Sequence, residues 1–545
     1  MKIIINDANI LIDLVKLELI DVFSELNFDL HTTDFVYEEI YDDQKRVISN
    51  LNKREKLKII ETNSNEDFLG INNLLQNSKG LSFEDCSVWY YAKKLSGILL
   101  TGDNQLRRQA IKNFIEVRGI IYVFDELVSQ KLISIEVACI KIEELAKLND
   151  RLPKKEIEKA DLVISMLPAS LHIQAAKDCL EFKKHLVTAS YISDEMKSLD
   201  EVVKKNGLIF MNEIGLDPGI DHMSAMKVLD EIREKGGEII LFESFCGGLV
   251  APESDTNLWN YKFTWNPRNV VLAGQGGAAK FIQEGKYKYI PYSKLFRRTE
   301  FLEVEGYGRF EAYANRDSLK YRSVYGLDDA LTCYRGTIRR VGYSRAWDIL
   351  VQLGMTDDSY IIDNSEEMTY REFTNSFLPY HPTDTVEIKL RALQKIDQDD
   401  IIWDKLVEID LFNPNKKVGL VKATPAQILE KILAEKWALE PNDKDMIVMY
   451  HKFGYELNGE KKQIDATMVC IGDDQTYTAM AKTVGLPVAI ATLKILNKEI
   501  TTPGVQLPIT KEVYTPILKE LESYGVIFKE IEVPYLGYNP LNVKS

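Results

Sequence analysis

Residues 185–222 constrain the fold of this chain more than any other stretch, because an apolar run, an amphipathic segment and a second apolar run follow one another without a gap. The apolar runs at 185–190 and 208–214 have the length and composition of buried parallel strands. Four apolar residues between them recur at helical spacing: Met196, Leu199, Val202 and Val203. The pattern predicts a strand–helix–strand unit with ligands beyond the carboxyl ends of its strands, at 190–193 and 215–222.

Composition limits the classes of protein to consider. A chain of 545 residues is too long for a single core, so several domains are expected. The net charge of −15 speaks against an extended surface for nucleic-acid phosphates. The six cysteines stand far apart without a CxxC pair, which is typical of a reducing compartment, and we expect a cytoplasmic protein. No apolar run reaches the length of a membrane span, so no membrane partner is expected.

The first 150 residues place acids where strands end and where helices lie beside them. Apolar strands at 2–6 and 97–101 run into Asp7 and Asp103, and two predicted helices carry Glu39 and Asp85. Acids in these positions converge on one edge of a parallel sheet, where oxygen ligands suit Mg²⁺ or Mn²⁺. Two such ions can activate water and stabilise the leaving oxygen of a phosphodiester. The alternative is that the aspartates merely cap helices, as Asp often does.

Four segments carry a resemblance over about residues 1–150: NDANILIDL, TTDFVYEEI, LSFEDCSVWYYAKK and ILLTGDNQLRRQA. Together they resemble the PIN domain family of metal-dependent ribonucleases. The resemblance implies catalytic and metal-binding roles for Asp7, Glu39, Asp85 and Asp103, with RNA as the partner. It favours Glu39 over Glu38, which stays open, because the family places this acid before an aliphatic residue. Ala8 replaces the hydroxyl residue that usually follows the first aspartate, so we expect a hydroxyl near the metal to be missing.

The composition changes again after residue 138. Residues 138–159 are rich in Lys, Glu and Leu and contain Pro153, which predicts a terminal helix and a linker at 151–159. A buried strand is expected at 161–167. If the region from 160 is part of a dinucleotide-binding sheet, it is only the second half of one. The first half should contain a glycine-rich turn, and no GxGxxG occurs in residues 1–160. We expect the GxGxxA spacing at 274–279 to be a flexible turn, since no second strand ending in an acid follows it.

Eight motifs follow in order from residue 160: ADLVISMLP, HLVTASYIS, MNEIGLDPGIDHMSAMK, FCGGLVAPESDTNLWNYKFTWNP, YANRDSLKY, YRGTIRRVGY, DMIVMYHKFGY and MAKTVGLPVAIAT. Together they resemble the saccharopine reductases, the glutamate-forming saccharopine dehydrogenases of lysine metabolism. The resemblance implies that aminoadipate semialdehyde is coupled to glutamate as an imine and reduced by the NADP cofactor. It also implies a Rossmann domain, a mixed α/β substrate domain and a small helical domain.

The same resemblance implies individual site residues. Substrate contacts are expected at Ser190, Tyr191, Arg316 and Thr337, and cofactor contacts at Leu167, Leu216, Asp217 and Pro218. An arginine fork suits the carboxylates of saccharopine, although a surface salt bridge accounts for Arg316 equally well. Cys246 matches a family cysteine near the substrate. His222 and His451 receive no catalytic assignment, because an isolated histidine is more often structural.

We therefore predict a multidomain α/β protein. Its parts are a PIN-like α/β sandwich at 1–150, a linker at 151–159, a partial Rossmann sheet at 160–220, a helical subdomain at 345–440, and a mixed α/β substrate domain at 221–344 and 441–545 that ends by returning to the Rossmann-type sheet. The expected function is that of a saccharopine-reductase-like oxidoreductase fused to a PIN-like ribonuclease, with reductase turnover in doubt because the glycine-rich half is missing. The alternatives are a metal-dependent ribonuclease with an inactive reductase region, and a non-catalytic fusion that binds saccharopine-like dicarboxylates. Expected ligands are NADP, Mg²⁺ or Mn²⁺, saccharopine, glutamate and RNA, and a homodimer is left open.

Overall fold

The computed structural model describes residues 2–78, 80–148, 154–273, 275, 277–538 and 543–544. The chain divides into two compact units, Met1–Pro153 and Lys154–Ser545. The glycine spacing predicted to form a turn lies partly outside the described residues, since positions 274 and 276 are among those not covered.

The N-terminal unit alternates strands and helices. Its strands are β1 (Lys2–Asn6), β2 (Phe28–Thr33), β3 (Lys58–Ile60), β4 (Ile98–Leu100) and β5 (Val117–Arg118). Its helices are α1 (Ala8–Lys16), α2 (Ile20–Phe23), α3 (Asp34–Glu39), α4 (Asp42–Lys53), α5 (Asn65–Asn77), α6 (Phe83–Lys94), α7 (Asn104–Lys112), α8 (Ile120–Ser129) and α9 (Ile135–Leu148). The strands form a parallel sheet in the order β3-β2-β1-β4-β5. One apolar core underlies this unit, as the sequence predicted for an α/β module.

The C-terminal unit contains the remaining elements. Its strands are β6 (Leu162–Ile164), β7 (His185–Val187), β8 (Ile209–Met211), β9 (Glu238–Val250), β10 (Ala279–Gln283), β11 (Lys286–Ile290), β12 (Thr299–Val304), β13 (Gly308–Ala314), β14 (Thr332–Arg340), β15 (Asp445–Leu457), β16 (Glu460–Ile471), β17 (Gly504–Gln506), β18 (Lys529–Pro534) and β19 (Val543–Lys544). Its helices are α10 (Lys154–Lys159), α11 (His172–Glu181), α12 (Asp194–Ser198), α13 (Asp200–Lys205), α14 (Ile220–Glu234), α15 (Pro267–Val271), α16 (Tyr343–Leu353), α17 (Tyr370–Ser376), α18 (Val386–Gln394), α19 (Ile401–Glu408), α20 (Pro425–Trp437), α21 (Ala479–Leu496) and α22 (Lys511–Glu522).

A four-stranded parallel sheet in the order β17-β8-β7-β6 contains the predicted strand–helix–strand unit. The predicted single helix is two short helices, α12 and α13. Met196 and Val203 are buried as expected, but Val202 is 41% exposed, because the break between the helices changes the face that meets the sheet. The prediction of a buried strand at 161–167 is wrong in part, since β6 is a sheet edge and Ile164 is 44% exposed.

A ten-stranded sheet forms the centre of the C-terminal unit, with the main order β18-β16-β15-β9-β14-β13-β12-β19. Strands β9 and β14 pair in parallel, and the other pairings are antiparallel. One core joins this sheet to the helical stretch α16 to α20, and a second joins it to α14, α21 and α22.

Helix α21 is long and apolar enough to cross a membrane by length and composition, and 39% of it is buried in the protein. Its buried residues include Val488 and Ala491, which contribute to a core. The sequence expectation that no apolar run reaches this length overlooked the helix, because Lys482 and Lys494 interrupt the run. A core helix passes the same test, so this is weak evidence for a membrane span.

A charged network lies buried on the large sheet. Lys452 forms an ion pair with Glu243 at 2.8 Å, and Gln283 donates a hydrogen bond to Glu300 at 3.3 Å. Burial, reinforced by the charge of Glu243, raises the pKa of Glu300 to about 7 from an ordinary 4.5. The folded protein therefore retains a proton on Glu300 that the unfolded chain loses near pH 4.5.

We expect Glu300→Gln to flatten the pH dependence of stability. Between pH 4.5 and 7 the unfolded chain releases this proton and the folded chain retains it, so the free energy of unfolding of the wild-type protein falls as pH rises. The loss across that window is at most about 3 kcal/mol. Urea titrations at several pH values measure it, with Glu303→Gln, an exposed position on the same strand, as the control. An equal pH slope in wild type and Glu300→Gln would contradict the assignment.

Candidate functional sites

The carboxyl ends of β1 and β4 bring the predicted acids of the N-terminal unit to one edge. Asp7 caps α1 by accepting from the Ala8 backbone N–H at 2.8 Å, and Asp103 caps α7 by accepting from Gln105 and Leu106 at 2.8 and 2.7 Å. Asp85 accepts from the Ser82 N–H at 2.9 Å in the first turn of α6. The aspartates therefore do cap helices, as the structural alternative proposed, and the same geometry gathers them at the sheet edge.

The charges of these acids act on one another. Burial raises the pKa of Asp7 to about 6 against the hydrogen bond from Thr101, and the charge of Asp85 adds to the rise. Burial likewise raises the pKa of Glu39, with the charges of Glu84 and Asp85 adding to it. The pKa of Asp85 is raised by burial and by the charge of Asp103. The structure thus places Glu39 among the acids, whereas the adjacent Glu38 forms an ion pair with Lys45 at 2.7 Å.

A hydroxyl does lie beside Asp7, contrary to the sequence expectation. Thr101 Oγ1 donates to Asp7 Oδ2 at 2.6 Å, and the Asp103 backbone N–H donates to the same hydroxyl at 2.9 Å. Asn9 Nδ2 donates to Asp7 Oδ2 as well, at 2.6 Å. The residue after Asp7 cannot supply this hydroxyl because it is Ala8, and the neighbouring strand supplies it instead.

A divalent metal suits the donor types at this edge but not their present spacing. Carboxylate oxygens are the ligands that Mg²⁺ and Mn²⁺ prefer, and a cation would relieve the repulsion that raises these pKa values. Among the residues described, however, no three His, Cys, Asp or Glu side chains are grouped closely enough to hold a metal ion.

Arg335 is the centre of a buried charge cluster in the C-terminal unit. Its guanidinium donates to Asp217 Oδ1 at 2.7 Å and to Asp221 Oδ2, and lies 4.5 Å from the Tyr321 ring centroid. Burial raises the pKa of Asp217 in spite of Arg335. Burial also opposes the charge on Asp221, but His222 and Arg335 outweigh it and lower the Asp221 pKa. One carboxyl therefore holds a proton more readily than its neighbour.

The loop before α14 holds Asp217 and Asp221 in place. The Gly219 N–H donates to Asp221 Oδ1 at 2.6 Å, and a Cβ at Gly219, whose φ is 144°, would lie 2.1 Å from the Gly215 carbonyl oxygen. The Asp217–Pro218 peptide bond is cis. Only glycine fits at 219, where the loop folds back onto Gly215.

Buried histidines brace this loop. His222 Nε2 lies 2.8 Å from Glu213 Oε2, and Nδ1 contacts the Tyr325 hydroxyl. His451 lies between the hydroxyls of Ser224 and Ser244, at 2.8 and 3.0 Å. Both histidines are fully buried and hydrogen-bonded, which agrees with the structural interpretation.

The predicted substrate residues Tyr191 and Arg316 lie together. The Tyr191 hydroxyl donates to Asp217 Oδ1 at 3.1 Å, and the guanidinium carbon of Arg316 lies 5.2 Å from the Tyr191 ring centroid. Arg316 is exposed and has no ion pair with a described residue, so the salt-bridge interpretation is not what the structure shows. Its guanidinium is available to a ligand carboxylate.

His172 links the ends of β6 and β7. Its Nδ1 lies 2.7 Å from Ser165 Oγ and its Nε2 lies 2.7 Å from Ser190 Oγ. The histidine is 5% exposed. The predicted substrate residue Ser190 is thus held by a buried ring that sequence reasoning did not single out.

Arg339 is a buried guanidinium without a carboxylate partner among the described residues. It is 5% exposed, donates to the Ile338 carbonyl at 2.8 Å, and leaves its Nε without an acceptor. Three tyrosine rings surround it, with centroids 5.0 to 5.9 Å from the guanidinium carbon: Tyr261, Tyr313 and Tyr343. A buried cation without an anion is costly, so this site fits an incoming carboxylate.

These arginines share one face of β14 with Thr337. Residues two apart in a strand point the same way, which aligns Arg335, Thr337 and Arg339. Thr337 pairs with Cys246 of β9. Burial raises the pKa of the Cys246 thiol. The charges of four nearby residues also act on this pKa: Asp217, Asp221, Arg335 and Arg339. The predicted and the overlooked residues therefore surround a single location.

The predicted cofactor residues lie at the carboxyl ends of β6 and β8. Leu167 follows β6 and is half-buried, and Leu216 is 5% exposed in the loop with Asp217 and Pro218. This edge suits the nicotinamide end of a dinucleotide. The usual glycine-rich binding loop for the pyrophosphate is not present just before β6. Strand β6 is at the edge of its sheet, and the described residues 154–159 before it form α10 without a glycine.

Family models match both parts of the chain. Residues 215–526 match the saccharopine dehydrogenase C-terminal domain, residues 124–211 match the saccharopine dehydrogenase NADP binding domain, and residues 3–162 match the PIN domain. The chain thus matches the NADP binding domain of this family. The expectation that reductase turnover is in doubt is not confirmed. That match begins upstream of β6 and overlaps the PIN match.

Known relatives agree with the two saccharopine dehydrogenase matches. A glutamate-forming saccharopine dehydrogenase of Saccharomyces cerevisiae is 34% identical over 430 residues, covering 75% of this chain and 96% of the relative. The alpha-aminoadipic semialdehyde synthase of Arabidopsis thaliana is 35% identical over 69% of this chain, which spans only 37% of that longer protein. The solved apo saccharopine dehydrogenase of S. cerevisiae has a TM-score of 0.65 at 29% identity, covering 86% of this chain and 97% of that one.

Proposed function

The chain belongs to the saccharopine dehydrogenase family, and from this premise we propose that its C-terminal unit interconverts saccharopine with glutamate and aminoadipate semialdehyde, using NADP. The observation that carries the proposal is Arg339, whose buried guanidinium has no carboxylate partner among the described residues. Saccharopine brings three carboxylates, and Arg316 and Arg339 are two cations able to receive them. A bidentate arginine–carboxylate pair supplies both affinity and orientation.

The surrounding residues would hold and orient the substrate. Ser190 and Thr337 offer hydroxyls, with Ser190 fixed by His172. Asp217 accepts from Tyr191 and from Arg335, and because burial raises its pKa we assign it the proton exchanged during formation and cleavage of the substrate imine. NADP, when bound, would supply or accept the hydride, with Leu167, Leu216 and Pro218 beside its nicotinamide.

We expect NADPH to bind more weakly to this chain than to its S. cerevisiae relative. Pyrophosphate binding depends on backbone N–H groups at a glycine-rich helix start, and the described residues before β6 offer none. Losing two or three charge-assisted hydrogen bonds of roughly 1.5–3 kcal/mol each corresponds to a loss of affinity on the order of hundredfold or more.

Titration with NADPH, followed by nicotinamide fluorescence, measures this affinity against the yeast enzyme as the reference. Micromolar affinity in this chain would show that the phosphates are held in another way, and the weak-binding prediction would be abandoned while the substrate assignment stood. Binding of saccharopine without any NADP-linked turnover would instead favour a non-catalytic dicarboxylate-binding protein.

A second function is supported by the N-terminal unit. We propose that it is a ribonuclease that requires Mg²⁺ or Mn²⁺, with Asp7, Glu39, Asp85 and Asp103 as the acids that would hold the metal and RNA as the substrate. The support is the mutual electrostatic influence of these acids at one sheet edge. A cytoplasmic location and a homodimer are proposed as well.

A further inference from the structure

A buried histidine joins two serines at the carboxyl ends of neighbouring strands. Ser165 follows β6 and Ser190 follows β7, and these two strands pair in parallel. His172, the first residue of α11, lies between the serines, with both ring nitrogens 2.7 Å from a hydroxyl oxygen. The three side chains therefore form one hydrogen-bonded chain that begins inside the protein and ends at a predicted substrate residue.

The imidazole ring of His172 is neutral near pH 7. Burial lowers its pKa below the ordinary value of 6.5. A neutral imidazole donates a hydrogen bond through one nitrogen and accepts one through the other. One serine hydroxyl must therefore donate to the ring while the other accepts from it.

The burial of Ser165 decides between the two possible directions. Ser165 is 3% exposed, and its hydroxyl has no hydrogen bond other than the one to His172 among the described residues. If Nδ1 carried the proton and donated to Ser165, the hydroxyl hydrogen of this serine would be buried without an acceptor, which is costly. The favoured direction has Ser165 donating to Nδ1, and the protonated Nε2 donating to Ser190 Oγ.

The hydrogen that remains unused then belongs to Ser190. This serine is half-buried, and its backbone is fixed on both sides, since its N–H donates to Thr188 Oγ1 at 3.3 Å and its carbonyl accepts from the Glu213 N–H at 3.1 Å. Because its Oγ accepts from His172, its own O–H must turn away from the ring. The next residue is Tyr191, which lies beside the guanidinium of Arg316. A ligand at this position meets a hydroxyl donor close to a positive charge, which suits a carboxylate.

We propose that His172 is a positioning residue which, with its proton on Nε2, holds the Ser190 hydroxyl as a hydrogen-bond donor to a substrate carboxylate. His172 acts only through Ser190 and does not touch the substrate. The proposal rests on the proposed function, because saccharopine supplies the carboxylate.

A double-mutant cycle on the full chain tests this dependence. Calorimetric titration with saccharopine compares the wild type with His172→Leu, Ser190→Ala and the double variant. We expect each single variant to bind about tenfold more weakly, since each loses the same charge-assisted hydrogen bond. The double variant should bind no more weakly than Ser190→Ala, because His172 has no effect once the hydroxyl is gone.

The matched control is His185→Leu. His185 lies at the amino end of β7, where its Nδ1 accepts from the Ile209 N–H at 3.0 Å, and burial lowers its pKa as well. Loss of this histidine should leave saccharopine affinity unchanged. Losses in His172→Leu and Ser190→Ala that add up in the double variant overturn the proposal, because a purely structural histidine would behave in that way.

Nitrogen NMR of the full chain with labelled histidine tests the direction of the chain without substrate. The His172 signals are those that Ser190→Ala shifts and His185→Leu leaves in place. We expect the proton on Nε2, and a proton on Nδ1 overturns the proposal even if His172→Leu fails to fold. Absence of saccharopine binding in the wild type overturns the proposed function together with this proposal, whereas wild-type binding with additive losses overturns this proposal alone.

Discussion

Replacing Arg335 by methionine should lower the free energy of unfolding of the C-terminal unit by about 3–5 kcal/mol. The guanidinium lies between Asp217 and Asp221 and is 6% exposed, so its removal leaves two buried carboxylates facing one another. The variant should also lose saccharopine binding. Arg335 holds Asp217, and Asp217 accepts a hydrogen bond from Tyr191, a predicted substrate contact, so the loss of Arg335 should displace Tyr191 as well. Chemical denaturation followed by tryptophan fluorescence measures the first effect.

The control for this prediction is Arg371→Met. Arg371 forms a bidentate pair with Glu387, but both side chains are 29% exposed. Ion pairs that water reaches in part contribute little to stability, so the control should lose no more than about 1 kcal/mol. Equal losses in the two variants would mean that the buried cluster does not depend on its cation, and the account of the site would need to be replaced.

Asp7→Asn and Asp103→Asn should each abolish RNA cleavage by the N-terminal unit. Asparagine retains the helix-capping acceptor, so the fold should persist while a negative charge is removed from the edge where the metal is proposed to bind. Cleavage in the wild-type chain should require Mg²⁺ or Mn²⁺ and stop in excess EDTA. A fluorogenic RNA assay on the full chain measures these rates.

Glu38→Gln and Glu39→Gln form a matched pair beside these variants. Glu38 forms an ion pair with Lys45, whereas the charges of Glu84 and Asp85 raise the pKa of Glu39. We expect the first to cleave normally and the second to fail. Cleavage that persists in EDTA, or survives in Asp7→Asn, would reject the metal-dependent mechanism.

The periodicity of the sequence predicted much of the fold. The runs at 185–190 and 208–214 form adjacent parallel strands, and the acids after 2–6 and 97–101 meet because parallel strands end at one edge. The local sequence pattern failed to predict the exposure of side chains whose surroundings depend on residues distant in the sequence. Ile164 and Val202 are apolar, but their exposure follows from a sheet edge and a helix break that no local window contains.

The same contrast between predictable and unpredictable features holds for the candidate sites. Tyr191 and Arg316 were predicted through a family resemblance and lie in contact. Arg335 and Arg339 were overlooked, although their alternation with Thr337 at a spacing of two could have indicated a common face. The hydroxyl of Thr101 was missed because it reaches Asp7 across 94 positions, a pairing fixed only when β1 and β4 align.

Calorimetric titration of the full chain with saccharopine tests the central claim most directly. The account predicts saturable binding that Arg339→Met and Arg316→Ala each weaken by about tenfold or more, while Arg371→Met leaves it unchanged. Absence of saccharopine binding in the correctly folded wild-type chain, or equal affinity in Arg339→Met, would contradict it.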